Sequence, residues 1–430
     1  MTSIVLYIHN RDLRRPDNRG LEAAAAWAKE HSARVAPVYI FTPAQVGPRS
    51  PIRSAKSVTC MLHGLAELDD SYSGCLGFYY GDTLTILKEI AKGVAVAAIF
   101  TCADYTPFAL ARESTIGNWC SGAGIHFQAV DDIYLHAPGS VLNKAGKPFQ
   151  KFTPFYDAAR IKEVERPRPA VRGPFVKQPL TNSYSVSLEG AAEKMGAKFL
   201  EEGEDVAYMG GRSNALKQLA RIPRNYAQIH DMLPEHTSGL SVHNHYGAVS
   251  IREVYWKAKS FATGAAADDM AAFIRQLYWR DFYGHVMAAF EDLYGVSAYD
   301  FQTGARYESL SAEKAAVLKA WKEGKTGVPL VDAGMRQMNE TGFMHNRARL
   351  VVSSWLIKDQ GIWWRHGERY FAERLLDYDF TQNMLNWCWV ASVLPFSQAP
   401  FRRHDPERIA ERLDPEGVYV KRWLGAEKEK

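Results

Sequence analysis

The hydrophobic pattern changes its period partway along this chain, and that change limits the folds open to it. Over the first 130 residues, short runs rich in β-branched and aromatic side chains recur at 3–8 (SIVLYI), 34–41 (RVAPVYIF), 76–81 (LGFYYG), 96–101 (VAAIFT) and 125–130 (IHFQAV). Between them lie segments with helical spacing, such as 19–31 (RGLEAAAAWAKEH) and 82–93 (DTLTILKEIAKG). Strands alternating with helices at this interval predict a parallel, doubly wound sheet, because parallel neighbours need a crossover connection. No G-x-G-x-x-G follows the first strand; the turn there reads HNRDLRRPDN, so the dinucleotide-binding fingerprint is missing.

Residues 131–200 change character. HAPGSVLNKAGKPFQKFTPF and ERPRPAVRGPF are rich in Pro, Gly and basic residues with little periodicity, which predicts a long linker crossing the surface. From 201 onward strand signals vanish, and 268–290, 331–340, 345–360 and 367–376 carry a helical period. The expectation is an α/β plus all-α chain: a doubly wound sheet domain over 1–130, a linker over 131–200 and a helical domain over 201–430. The net charge of +4 permits a polyanionic partner without requiring one. The five cysteines are scattered, with no C-x-x-C pair and no Cys/His ligand spacing, so neither a disulfide framework nor a metal site is expected. With no run of transmembrane length and no signal-like N-terminus, the expectation is a cytoplasmic monomer that does not engage membranes.

One stretch asks for more than a fold. Residues 375–392 read LLDYDFTQNMLNWCWVAS: paired carboxylates, a lone amide and two indoles within thirteen residues. The chain also holds 11 Trp and 21 Tyr, planar side chains suited to stacking on flat ligands. Ahead of this stretch come, in order, RDLRRPDN (11–18), HTSGLS (236–241), QLYWRDFY (276–283), FMHNRARLVVSSWLIKD (343–359) and WWRHGERYF (363–371); DPEGVYVKRWL (414–424) follows it. This ordered series, spanning nearly the whole chain, resembles the DNA photolyase and cryptochrome flavoproteins, and most of all the bacterial enzymes that repair cyclobutane pyrimidine dimers.

The resemblance implies FAD as cofactor. Thr237, Ser238, Gly239, Leu240 and Ser241 offer hydroxyls and N–H groups at a helix start, which suits a diphosphate. Tyr226, Phe273, Gln276, Arg280 and Asn346 are implied to line the flavin site. Arg349 is implied to balance a reduced flavin while Asp377 orients it, Asp379 to hold the ring's edge, and Asn383 to face N5. Gln276, Trp279, Arg280 and Tyr283 recur at i, i+3, i+4 and i+7, on one helix face. Trp279 and Trp389 are implied to flank a flipped lesion, where stacking offsets roughly 1–3 kcal/mol per base lost from the duplex. Asn346 and Leu350 are implied to extend that catalytic pocket, His230, Arg347 and Arg402 to contact DNA, and Trp387 and Trp364 to carry electrons to the flavin. A second, antenna chromophore (a folate, a deazaflavin or another flavin) is a further possibility of the family, and UV-damaged DNA is the implied partner.

Three positions depart from the pattern. Gln276 stands where dimer-repair members carry Glu, and His230 where the family carries an arginine. The third tryptophan of the electron chain is replaced by Tyr307 or Ser311. Two other readings stay open: a cryptochrome-type photoreceptor, and repair of (6-4) photoproducts. Gln276 favours the latter; Asn346 and Leu350, standing where those enzymes carry histidines, oppose it.

Overall fold

The computed structural model describes residues 2–197, 209–235, 237–290, 310–394 and 398–425. Its N-terminal part is a five-stranded sheet: β1 (Ile4–Ile8), β2 (Arg34–Phe41), β3 (Gly77–Tyr80), β4 (Val96–Cys102) and β5 (His126–Val130). All four pairings are parallel, in the order β3-β2-β1-β4-β5. The order reverses between β1 and β4, so a crevice opens at the carboxyl ends of these strands. Both faces are covered by helices α1 (Arg19–Glu30), α2 (Ala55–Ser71), α3 (Thr83–Gly93) and α4 (Pro107–Ala123). β1 is wholly buried, which explains its unbroken apolar run.

Segment 131–197 has more structure than its composition predicts. Phe152, Phe155 and Ala159 on α5 (Phe152–Ala159) are buried in the core of the helical domain. Farther on, Phe175 makes a parallel bridge to Val35, and Ala191, Ala192 and Met195 of α6 (Leu188–Met195) are buried against the sheet domain. The segment straps the two lobes together. Its Pro and Gly content hides a few well-placed apolar anchors, and a composition average cannot see them.

The C-terminal lobe has helices and no strand among its described residues, and from Ser241 onward these are α7 (Ser241–Tyr246), α8 (Ile251–Phe261), α9 (Ala267–Ala289), α10 (Ala312–Glu323), α11 (Pro329–Thr341), α12 (Asn346–Ser354), α13 (Trp364–Arg374), α14 (Phe380–Ala391), α15 (Pro406–Leu413) and α16 (Val418–Leu424). A π-helical turn, Trp355–Asp359, ends α12. A capping box formed by Ser250 and Glu253 starts α8. Buried polar groups join the lobes. Arg252 of α8 donates to Asp17 and Asp132, Arg14 pairs with Asp132, and Ser250 donates to Asp17. The RDLRRPDN turn is therefore an interlobe fastening: its buried charges are paired, as burial requires. All five cysteines are buried, and none is in a disulfide. Among the described residues, no helix is long and apolar enough to cross a membrane.

Candidate functional site

The paired carboxylates of 375–392 have different local jobs. Asp379 is the N-cap of α14, where it accepts from the Gln382 N–H. Asp377 precedes the cap and accepts from Arg349 Nη2 with both oxygens, at 3.0 and 2.9 Å. The Met344 carbonyl holds Arg349 Nε at 2.9 Å, so the guanidinium is fixed from two sides. Asp379 also pairs with Arg11 from the turn after β1, and His245 Nδ1 lies 4.0 Å away. Burial alone would raise the Asp379 pKa, but the charges of Arg11 and His245 outweigh it and hold the carboxyl far below its ordinary range. Nothing in the spacing of the sequence marked Arg11, which stands 368 residues from Asp379.

Asn346, Arg349, Leu350, Phe371, Asp377, Asp379, Asn383 and Trp387 line one cleft between α12, α13 and α14, enclosing about 510 Å³ of empty space, part of it open to solvent. Asn383 Nδ2 donates to Glu368 Oε1 at 2.9 Å, and Tyr378 donates to the same oxygen at 2.9 Å. Glu368 Oε2 is buried without a hydrogen-bond partner. Burial pushes the Glu368 carboxyl up to about 7, although both hydrogen bonds pull the other way. With its NH2 committed to Glu368, Asn383 keeps Oδ1 as its free end, an assignment that follows from the hydrogen-bond network.

The loop 237–240 leads into α7, with Gly239 in the left-handed region at φ 62° and Ser241 as the first helical residue. Leu240 occupies the N-cap and gives no side-chain hydrogen bond. The first N–H groups of α7 thus remain available beside Thr237 and Ser238. Tyr226 and Phe273, edge-to-face at 5.1 Å, are buried in the same lobe.

On α9, Gln276, Trp279, Arg280 and Tyr283 do share a face. Gln276 is half-buried and makes no side-chain hydrogen bond to a described residue. Trp279 stacks on Phe152 with ring centroids 3.6 Å apart and planes 7° from parallel, so the interlobe segment already covers one indole face. Arg280 donates to the Ile133 carbonyl at 2.6 Å and lies over the Tyr134 ring. Tyr283 donates to Asn386 at 3.3 Å. Across α14, Trp387 is buried while Trp389 is half-buried, with the Arg402 guanidinium 5.7 Å above its ring.

His230 and Arg347 converge on one acid. Arg347 donates to Asp231 at 2.7 and 2.8 Å, and His230 Nδ1 lies 2.8 Å from it. Burial would raise Asp231, but hydrogen bonds from His230 and Arg347 bring it down to about 2. Exposed Arg402 belongs to a concave surface with Arg403, Arg408 and Arg412. Trp364 is buried and has no ring contact with Trp387 among the described residues; the Arg365 guanidinium lies 5.3 Å from its ring. Ser311 caps α10 with its hydroxyl, and Tyr307 lies outside the described residues. Sequence reasoning missed Arg11, Asp231, Phe152 and Glu368. Each acts through a contact formed by folding, and only Arg11 and Glu368 lay inside motifs already singled out.

A second, larger cleft lies at the switch point of the sheet. Asn10, Arg11, Tyr39, Arg53, Asp104 and Arg112 line it from the sheet lobe, His245 and Tyr378 from the helical lobe, around about 1080 Å³ of space partly open to solvent.

A sheet lobe and a helical lobe are thus joined, with a carboxylate- and indole-lined cleft in the second. Residues 5–172 match the DNA photolyase family model, and residues 273–429 match the FAD binding domain of DNA photolyase. The deoxyribodipyrimidine photo-lyase of Halobacterium salinarum is 30% identical over 97% of this chain and 88% of its own. Among solved structures, an archaeal photolyase from Sulfolobus tokodaii with two FAD molecules superimposes with a TM-score of 0.81 at 31% identity, covering 99% of this chain and 91% of its own. A class III photolyase from Agrobacterium tumefaciens gives 0.82 at 29% identity, covering 99% and 87%. The chain belongs to the DNA photolyase family.

Proposed function

We propose that this chain is a deoxyribodipyrimidine photo-lyase that uses FAD and light to split cyclobutane pyrimidine dimers in DNA. The observation that carries the reading is the cleft in which the fixed Arg349–Asp377 pair and the Glu368-anchored Asn383 meet. These residues fit a flavin: a cation stands ready for a reduced ring, and an amide presents a carbonyl to a ring N–H without adding charge. The uncapped start of α7, with Thr237, Ser238, Gly239, Leu240 and Ser241, suits its diphosphate. The bound cofactor supplies the light-driven one-electron chemistry; the protein supplies position and electrostatics.

In this reading Arg349 keeps its positive charge beside the ring, and Asp377 stops it from swinging away. Asp379, held ionised by Arg11, accepts at the ring's edge. Trp279 and Trp389 receive the flipped pyrimidines, with Gln276, Asn346 and Leu350 shaping the pocket. Phe152 stiffens Trp279, so little ordering is left for the substrate to impose. Arg402 and its neighbouring arginines take the phosphate backbone, and Arg347 and His230 are further contacts to DNA. The protein works as a monomer, and the cleft at the sheet's switch point is the place for a second chromophore, a folate, a deazaflavin or a flavin.

The test is direct. The reduced protein is illuminated with oligonucleotides bearing either lesion, and the products are counted. Loss of cyclobutane dimers in light, and not in the dark, is expected; intact dimers after illumination overturn the reading, and loss of (6-4) products instead transfers it to that lesion.

A further inference from the structure

The wall of the flavin cleft carries an aromatic cluster that a route through Trp364 leaves unused. Trp387 lines the cleft and meets two rings: Phe371, edge-on at 5.0 Å, and Trp321, at 6.3 Å and 76°. Trp321 in turn meets Tyr370 at 5.9 Å. We infer that Trp387, Trp321 and Tyr370 form a hole-transfer branch ending on Tyr370, by which the protein supplies an electron to oxidised flavin in this cleft. The inference rests on the flavin-site reading above.

The environment of each ring suits its place. Trp387 borders the cleft, so it gives the first electron, to the photoexcited oxidised flavin. Phe371 has a ring too hard to oxidise to hold a hole, which leaves Trp321 as the next donor. Trp321 is fully buried and its Nε1–H donates to the Val352 carbonyl at 3.0 Å, so its cation has no water to take the proton. The hole therefore moves on when an electron arrives from Tyr370. The Tyr370 hydroxyl donates to Asn339 Oδ1 at 2.7 Å and to the Lys322 carbonyl at 3.1 Å. Lys322 Nζ and the Arg374 guanidinium lie 5.0 and 5.2 Å from the Tyr370 ring. Their charges oppose a tyrosyl cation and favour release of the phenolic proton, along the bond to half-buried Asn339 and out to water. One electron has then left Tyr370 and one proton has gone to solvent, giving a neutral tyrosyl radical. A thiol reductant returns both as a hydrogen atom.

The experiment is flash excitation of the oxidised, flavin-loaded protein, read by transient absorption. The wild type is expected to show a neutral tyrosyl radical whose appearance slows in heavy water. Tyr370→Phe should lose that signal and leave the long-lived radical on tryptophan. Trp321→Phe should lose it too, whereas Trp364→Phe should keep it. A tyrosyl signal that survives Tyr370→Phe overturns the branch, as does one abolished by Trp364→Phe and retained in Trp321→Phe. Visible absorption of the purified wild type checks the underlying reading separately. No bound flavin overturns that reading and the branch with it; bound flavin without a tyrosyl signal overturns the branch alone.

Discussion

Glu368 is a carboxyl enclosed by protein, and its position gives it a measurable pH signature. Its pKa in the folded chain is about 7 against an ordinary value near 4.5, so between those limits the folded protein holds a proton that the unfolded chain has lost. Its contribution to stability is fully present below the unfolded value and is lost as pH rises through about 7. Glu368→Gln should therefore flatten the fall in thermal midpoint between pH 4.5 and 7, an effect of up to about 3 kcal/mol. Melting curves of the two proteins across that range check it, and parallel pH profiles would contradict it. Gln276 is the other residue with a clear expectation. It is half-buried and unengaged by described residues, so Gln276→Glu restores a carboxyl group beside the bases without breaking an existing bond. A higher quantum yield of dimer repair is expected; an unchanged yield would show that this position contributes little.

At the level of elements, the contact between α13 and α14 sets where Trp387 lies. A Cβ added at Gly367 would stand 2.2 Å from Trp387 Cη2 and 2.8 Å from Leu356 Cδ2, so only glycine lets the indole lie against α13. Gly367→Ala should destabilise the fold by about 1–3 kcal/mol through overpacking, more than its gain in helix propensity returns. Denaturant unfolding gives the cost, and a shift in tryptophan fluorescence reports the displaced ring. Helix α14 also shows which local features were legible. Trp387 and Trp389 stand on different faces by their spacing alone, whereas the place of Asp379 as the N-cap emerged only from the structure. The α5 helix was not legible, because Phe152 and Phe155 stand among Pro, Gly and Lys residues that carry no periodic signal.

Across the whole molecule, the two lobes are held by buried charges around Asp17, Asp132, Arg14 and Arg252 as well as by apolar contact. Asp17 accepts from Ser250 and from Arg252 Nε, and also from the Arg168 N–H at 3.0 Å. Asp17→Ala leaves Arg252 with one buried partner fewer and should cost about 3–5 kcal/mol. Calorimetry should show the lobes beginning to melt separately; a single transition at the wild-type midpoint would argue that the apolar contact suffices. The sequence by itself determined the two-lobed architecture, the order of the five strands along the chain, and the residue types of the cleft. Those follow from periodicity and from motifs read along one dimension. Only the tertiary structure decided that Arg11 holds Asp379, that Glu368 anchors Asn383, that Phe152 backs Trp279, and that Trp321 meets Trp387. These pairs are separated by up to several hundred residues or lie on different helices, and a contact made by packing leaves no mark on the spacing of the chain.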